Sequence, residues 1–152
     1  DLIYEPDGRA ARWMKLAGML SDVWLSASGD AAALVVGLGI NVNIPPDQLA
    51  TIAPNAGSLS AVTGSVVSRS ALLDALLQEI EVRYEALCSG RDPLPEWREQ
   101  LAWLGAQVAA VRGASRVYGL AQDVDQEGNL VVLTDEGDTH RFSVGDVSLR
   151  LC

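Results

Sequence analysis

Two apolar runs, residues 15–25 and 32–44, are rich in Val, Leu and Ile and meet across Ser28-Gly29-Asp30. That is the pattern of a β-hairpin, and Pro6-Asp7-Gly8 marks a turn ahead of it. The second run, LVVGLGINVNI, is apolar at both alternating positions until Asn41 and Asn43, which predicts a strand buried on both faces. Pro45-Pro46 ends it. A loop is expected to about Gly57, then one helical turn over 58–63 closed by Gly64. Leu72, Leu73, Leu76, Leu77, Ile80, Tyr84 and Leu87 recur at helical spacing and predict a helix over 69–88, N-capped by Ser68 and stopped by Gly90. A second helix is expected over 95–104, with Trp97, Leu101 and Leu104 on one side.

Beyond Gly105 the period changes to two. Five short alternating stretches follow, at about 107–111, 116–124, 129–134, 139–144 and 147–151. Turn signals separate them at Arg112-Gly113, Gln126-Glu127-Gly128, Glu136-Gly137-Asp138 and Gly145. Strands so short and so closely spaced predict a small β-barrel. The chain therefore reads as α+β, with a mixed sheet and packed helices over residues 1–104 and a barrel over 105–152.

Composition narrows the partners. The 152 residues are 49% apolar, enough for a globular core, and carry 20 acidic against 11 basic groups, a net charge of −9. Duplex binding needs a basic face, so no nucleic-acid partner is expected. The longest uncharged apolar stretch ends at Ile44 and is too short to cross a bilayer; no membrane partner and no secretion leader are expected. Cys88 and Cys152 are far apart and His140 is the sole histidine, which argues against a zinc or iron–sulfur site. Two free thiols suit a reducing cytoplasm. The chain opens on Asp1 and not on Met, as a processed chain or a fragment would.

Lys15 is the single lysine, the other ten cations being arginines, so chemistry needing an ammonium has one candidate. It heads an apolar strand, with Arg9 and Arg12 close by in sequence; an anion site and a polar hairpin tip are both open readings. GLGINV offers Gly37 and Gly39 at the first spacing of a dinucleotide fingerprint. The third glycine is replaced by Val42, and Pro45-Pro46 is expected to leave no helix behind it, so a Rossmann site is rejected. Close approach by a ligand or another backbone, and a bulge or tight sheet packing, explain these glycines equally well. Asn41 and Asn43 fall on one side of a regular strand and indicate a turn or a polar contact. The paired acids Asp123/Asp125 and Asp135/Glu136 flank turns and read as solvated charges; His140 is given no role.

The order of segments carries more. KLAGML at 15–20 is followed by VVGLGINVNI at 35–44, Ser58-Leu59, the helix at 69–87, Trp97, Leu104-Gly105, YGLAQDVDQEGNLVV at 118–132 and GDVSLR at 145–150. Over nearly its whole length the chain resembles the C-terminal part of a bacterial biotin protein ligase. Asp1-Leu2 resembles the end of the KWPND segment that precedes KxAG in that family. The upstream glycine- and arginine-rich loop, and the winged helix of repressor-type members, would lie outside the chain.

The resemblance implies a biotin/lipoate ligase-like fold truncated at its N-terminus, then an SH3-like barrel. It also implies ATP-dependent formation of biotinyl-5′-AMP with Mg²⁺, and transfer of biotin to a lysine of a biotin carboxyl carrier domain. Lys15 matches the catalytic lysine. Lys15, Gly18, Met19 and Leu20 match the biotin side, Gly39, Ile40 and Asn41 the adenylate side, and Asp1 a position near the nucleotide and Mg²⁺. The strand 35–42 resembles the family's dimer surface, which implies a homodimer. The hairpin over 4–14 is longer than is usual in the family. A non-catalytic dimerisation or interaction module, and a lipoate-type ligase, are the alternatives.

Overall fold

A computed structural model describes residues 1–5, 13–143 and 148–151. The Pro6-Asp7-Gly8 and Gly145 turns, Arg9, Arg12 and Cys152 lie outside the described residues. The chain divides into two compact units, Asp1–Ile80 and Glu81–Cys152.

The first unit is built on three antiparallel strands in the order β1-β2-β3: β1 (Leu2–Tyr4), β2 (Met14–Leu25) and β3 (Ala31–Ile40). The expected hairpin forms with Gly18 opposite Gly39 and Leu20 opposite Gly37. Gly29, at φ 89°, closes its turn, and Ser28 Oγ donates to Asp30 Oδ2 at 2.8 Å. The one parallel pairing described is a bridge between Lys15 and Ala56. β3 ends at Ile40, four residues before the apolar run does. There the chain turns to meet a helix: Asn41 N donates to Leu16 O, while Leu59 N and Ser60 N donate to the carbonyls of Asn41 and Val42.

A helix, α1 (Pro46–Ile52), stands where a loop was expected. Pro46 occupies its first turn, where a missing N–H costs nothing and a fixed φ favours the helix. Pro-Pro therefore ends the strand and starts a helix in one step. Leu49 of α1 is 2% exposed, and Leu16, Ala17 and Val42 are the other buried apolar residues described in this unit. The Rossmann reading still fails, on other grounds: β2 and β3 pair antiparallel, not across a parallel crossover. The predicted single turn is α2 (Leu59–Thr63), capped by Ser58 at its start and by Gly64 in the left-handed region at its end. Ser58 is fully buried; its hydroxyl donates to Ile44 O at 2.9 Å and accepts from Ala61 N. Asn43 supplies the expected polar contact, bracketing the backbone of Val67 through both side-chain atoms.

The long helix α3 (Arg69–Cys88) has its predicted bounds, and Ser68 Oγ accepts from Ala71 N. It buries no residue. Leu72 and Leu76 are half-buried; Leu73, Leu77, Ile80, Tyr84 and Leu87 are exposed. β3 departs further from expectation. It is not buried on either face: Val35 is 53% and Leu38 43% exposed, and on β2 Leu20, opposite Gly37, reaches 81%. Only these two strands form the distal hairpin among the described residues, and no described layer covers it.

The second unit holds α4 (Leu94–Glu99), shorter than predicted, and five antiparallel strands: β4 (Gln107–Arg112), β5 (Ser115–Val124), β6 (Leu130–Leu133), β7 (Thr139–Phe142) and β8 (Ser148–Leu151). Their order is β7-β6-β5-β4-β8. Among the described residues β7 and β8 are the two edges, so the SH3-like sheet is open and not a closed barrel. Val108, Ala110, Ala121, Val132 and Phe142 form its core, with Trp103, Val117 and Leu130 packed against them. Gly119 lets β5 and β6 cross closely, because a Cβ there would run into the Leu133 carbonyl. Arg98 ties α4 to β5 through Val124 O and Asp123 Oδ1.

Candidate functional site

Lys15 is held at its backbone from two sides. Its partner on β1 is Ile3, while its N–H donates to Asn55 O at 2.7 Å and its carbonyl accepts from Gly57 N at 2.9 Å. Gly57 makes this clamp possible: a Cβ there would lie 2.9 Å from Met14 Cβ and 3.0 Å from Leu16 Cδ2. The side chain is half-exposed, and its Nζ stands 2.8 Å from Asp1 Oδ1. A bulge between Leu2 and Ile3 shifts the β1–β2 register and sets where Asp1 falls.

Asp1, Lys15, Gly18, Met19, Leu20 and Gly39 line one open hollow of about 480 Å³, completed by Gly37 and Leu38. Of the candidate residues, Ile40 and Asn41 are not in its lining. Gly37 and Leu38 are lining residues that the candidate set lacked; the period of two puts Gly37 on the face of Gly39, which is the signal that finds it. The Asn55–Gly57 clamp on Lys15 has no signal in the sequence beyond Gly57 itself.

The floor of the hollow is bare backbone. None of Gly18, Gly37 and Gly39 has positive φ. A Cβ at Gly18 would find nothing closer than Asp1 Oδ1 at 3.5 Å; at Gly37 and Gly39 the nearest atoms would be 3.9 and 4.0 Å away. These are ordinary contact distances. Neither backbone conformation nor sheet packing among the described residues requires glycine at any of the three. Close approach from outside the described residues, by a ligand or by another backbone, is the reading that fits these distances. An ammonium at the rim and unobstructed backbone on the floor suit a flat or bicyclic group bearing an anion.

A larger hollow of about 640 Å³ lies within the second unit, between the end of α3 and α4, and includes Arg83, Leu87, Arg91, Glu96 and Trp97. Arg83 Nη2 is paired with Glu96 Oε1 at 3.0 Å, and no candidate residue lies there. Cys88 is a free, exposed thiol. Asp123 and Asp125 are structural: Asp123 pairs with Arg98, and Asp125 folds the β5–β6 turn by accepting from Glu127 N and Asn129 N. The Asn129 side-chain amide, those backbone N–H groups and Arg141 together hold the Asp125 carboxyl below its ordinary range, against some desolvation. His140 stacks on Phe142 in β7.

The antiparallel hairpin, capped helices and open SH3-like sheet are a fold shared with biotin protein ligases. Residues 104–150 match the family model for the biotin protein ligase C terminal domain. The chain is 31% identical over 144 residues to the biotin–[acetyl-CoA-carboxylase] ligase of Mycobacterium tuberculosis, a match covering 93% of this chain and 50% of that protein. It is 31% identical over 142 residues to the bifunctional ligase/repressor BirA of Bacillus subtilis, covering 89% and 42%. The biotin protein ligase of Aquifex aeolicus, solved in complex with biotin and ATP, superposes with a TM-score of 0.72 at 25% identity, over 91% of this chain and 57% of that one. The chain corresponds to the C-terminal part of biotin protein ligases, and spans about half the length of the relatives it matches. Among the described residues no helix is long and apolar enough to cross a membrane.

Proposed function

We propose that the chain is the distal part of an ATP-dependent biotin protein ligase, with Lys15 as its catalytic lysine. The observation that carries this is the glycine floor beside that lysine, which packing within the chain does not explain. In the first step a biotin carboxylate oxygen attacks the α-phosphorus of ATP. The bond to the β-phosphate oxygen breaks, giving biotinyl-5′-AMP and pyrophosphate. In the second, a lysine amine of a biotin carboxyl carrier domain attacks the acyl carbon; AMP leaves, an amide forms and the amine loses a proton.

Two anions must approach each other in the first step. The Lys15 ammonium offsets their repulsion and stabilises the charge that grows between them. Met19 and Leu20, both exposed, offer apolar surface to biotin, with Gly18 admitting its rings. Gly39 takes the adenylate side, continued by Ile40 and Asn41 beyond the hollow. Mg²⁺ commonly serves adenylate-forming chemistry by bridging phosphates. Such an ion is usually held by one or two carboxylates besides the phosphates, and Asp1, the one carboxylate in the hollow, is the residue that would meet it. No step is assigned to the metal.

The same reading places the catalytic part at 1–104 and the SH3-like part at 105–152, supported by the start of the matched family domain at residue 104. It takes the strand 35–42 as the contact of a homodimer, and the cytoplasm as the compartment, where ATP and carrier domains are found. Calorimetric titration of a hydrolysis-stable biotinyl-adenylate analogue into the chain tests the reading. Binding that Lys15→Ala weakens by about tenfold or more supports it; binding that Lys15→Ala leaves intact overturns it.

A further inference from the structure

We infer that Asp1 is a positioning residue for Lys15, its counter-ion at the rim of the hollow; this rests on the reading of Lys15 given above. Three observations converge. Asp1 Oδ1 lies 2.8 Å from Lys15 Nζ. The bulge between Leu2 and Ile3 shifts the register so that Leu2 pairs with Ala17 and Ile3 with Lys15, which carries Asp1 towards Gly18. Gly18 leaves the space that both charged groups use: a Cβ there would stand 3.5 Å from Asp1 Oδ1 and 3.6 Å from Lys15 Nζ.

The pair does little for stability, because its side chains are 45% and 56% exposed and exposed pairs contribute almost nothing. Its effect is directional. A lysine side chain has four rotatable bonds and three donors. Asp1 occupies one donor and fixes the ammonium beside Gly18, leaving two donors for the anionic atoms of a ligand.

Because Lys15 is the only lysine, a chain labelled with ¹³C,¹⁵N-lysine gives a single side-chain signal. Asp1→Ala is expected to shift and narrow that signal as the ammonium is released, and Asp1→Asn, which keeps an acceptor, to restore most of it. A lysine signal indifferent to Asp1→Ala overturns the inference, whatever the chain binds. The second arm is a double-mutant cycle read by titration of the biotinyl-adenylate analogue. Asp1→Ala is expected to weaken binding about fivefold in the native background and not at all in the Lys15→Ala background. A loss of equal size in both backgrounds assigns Asp1 a contact of its own and sinks the positioning role. Binding indifferent to Lys15→Ala instead removes the ligase reading of the site, an outcome the lysine signal does not share.

Discussion

The two antiparallel sheets of this chain treat their apolar side chains and glycines in opposite ways. In the five-stranded sheet, Val108, Ala110 and Val132 are fully buried, and Gly119 is there because the Leu133 carbonyl leaves no room for a Cβ. In the hairpin, Leu20, Trp24 and Leu34 are 81%, 67% and 63% exposed, and Gly18, Gly37 and Gly39 have room to spare. One sheet spends its residues on its own core. The other keeps surface and backbone open, beside the only lysine. Residues that the fold does not need are where a function is to be sought.

The widest expected difference separates Lys15→Ala from everything else. Losing a charged donor aimed at developing charge costs about 10²–10³ in rate, and the substitution removes an exposed side chain, so the melting temperature should hardly move. Adenylate formation, measured in the relative-length enzyme by pyrophosphate release, and analogue binding by the chain check it. The glycines then test the comparison directly. Gly39→Val should abolish analogue binding while the fold, followed by circular dichroism, persists. Gly119→Val should do the reverse and destabilise the second unit, by about 1–3 kcal/mol or more for overpacking. If Gly39→Val unfolds the chain, the open floor is a packing feature after all.

Much of this was legible in the sequence where period and punctuation agree. β4 to β8 fall within a residue or two of the alternating stretches, and α2 ends at its expected stop, Gly64. Burial was less legible. Alternation says which residues need covering, not what covers them, so β3 was expected to be buried and is bare. Pro45-Pro46 was read as a stop, although Pro at a first helical position is also a start. In the site, Lys15, Gly18 and Gly39 stand out as a lysine among arginines and glycines within strands. The Asp1–Lys15 pair does not, because it depends on a bulge that residue type leaves unmarked.

Ser58→Ala comes next in size. Its hydroxyl caps α2 and satisfies Ile44 O inside the first unit's core, with no solvent to replace it. Loss of a cap and a buried hydrogen bond should cost about 1–2 kcal/mol, read as a lower denaturant midpoint with an unchanged slope. The hollow is lined by Asp1 and by residues of β2 and β3, so analogue binding should survive at low temperature.

The smallest effect belongs to Asp125, and it has a sign. Asn129, the backbone N–H groups of Asn129 and Glu127, and Arg141 favour its ionised form, so its folded pKa lies below the ordinary 3.8. Between the two values the unfolded chain binds more protons than the folded one, and stability rises with pH. The contribution is therefore complete above 3.8 and is lost as pH falls through the lowered value. Thermal melts of the native chain and Asp125→Ala should differ at pH 7, hold that gap down to about pH 4, and converge in stronger acid. A gap that persists undiminished to pH 2 would mean that the turn is held by the neutral Asx hydrogen bonds alone. The β5–β6 connection would then owe nothing to charge, unlike the rim of the hollow, where the proposed role of Asp1 depends on it.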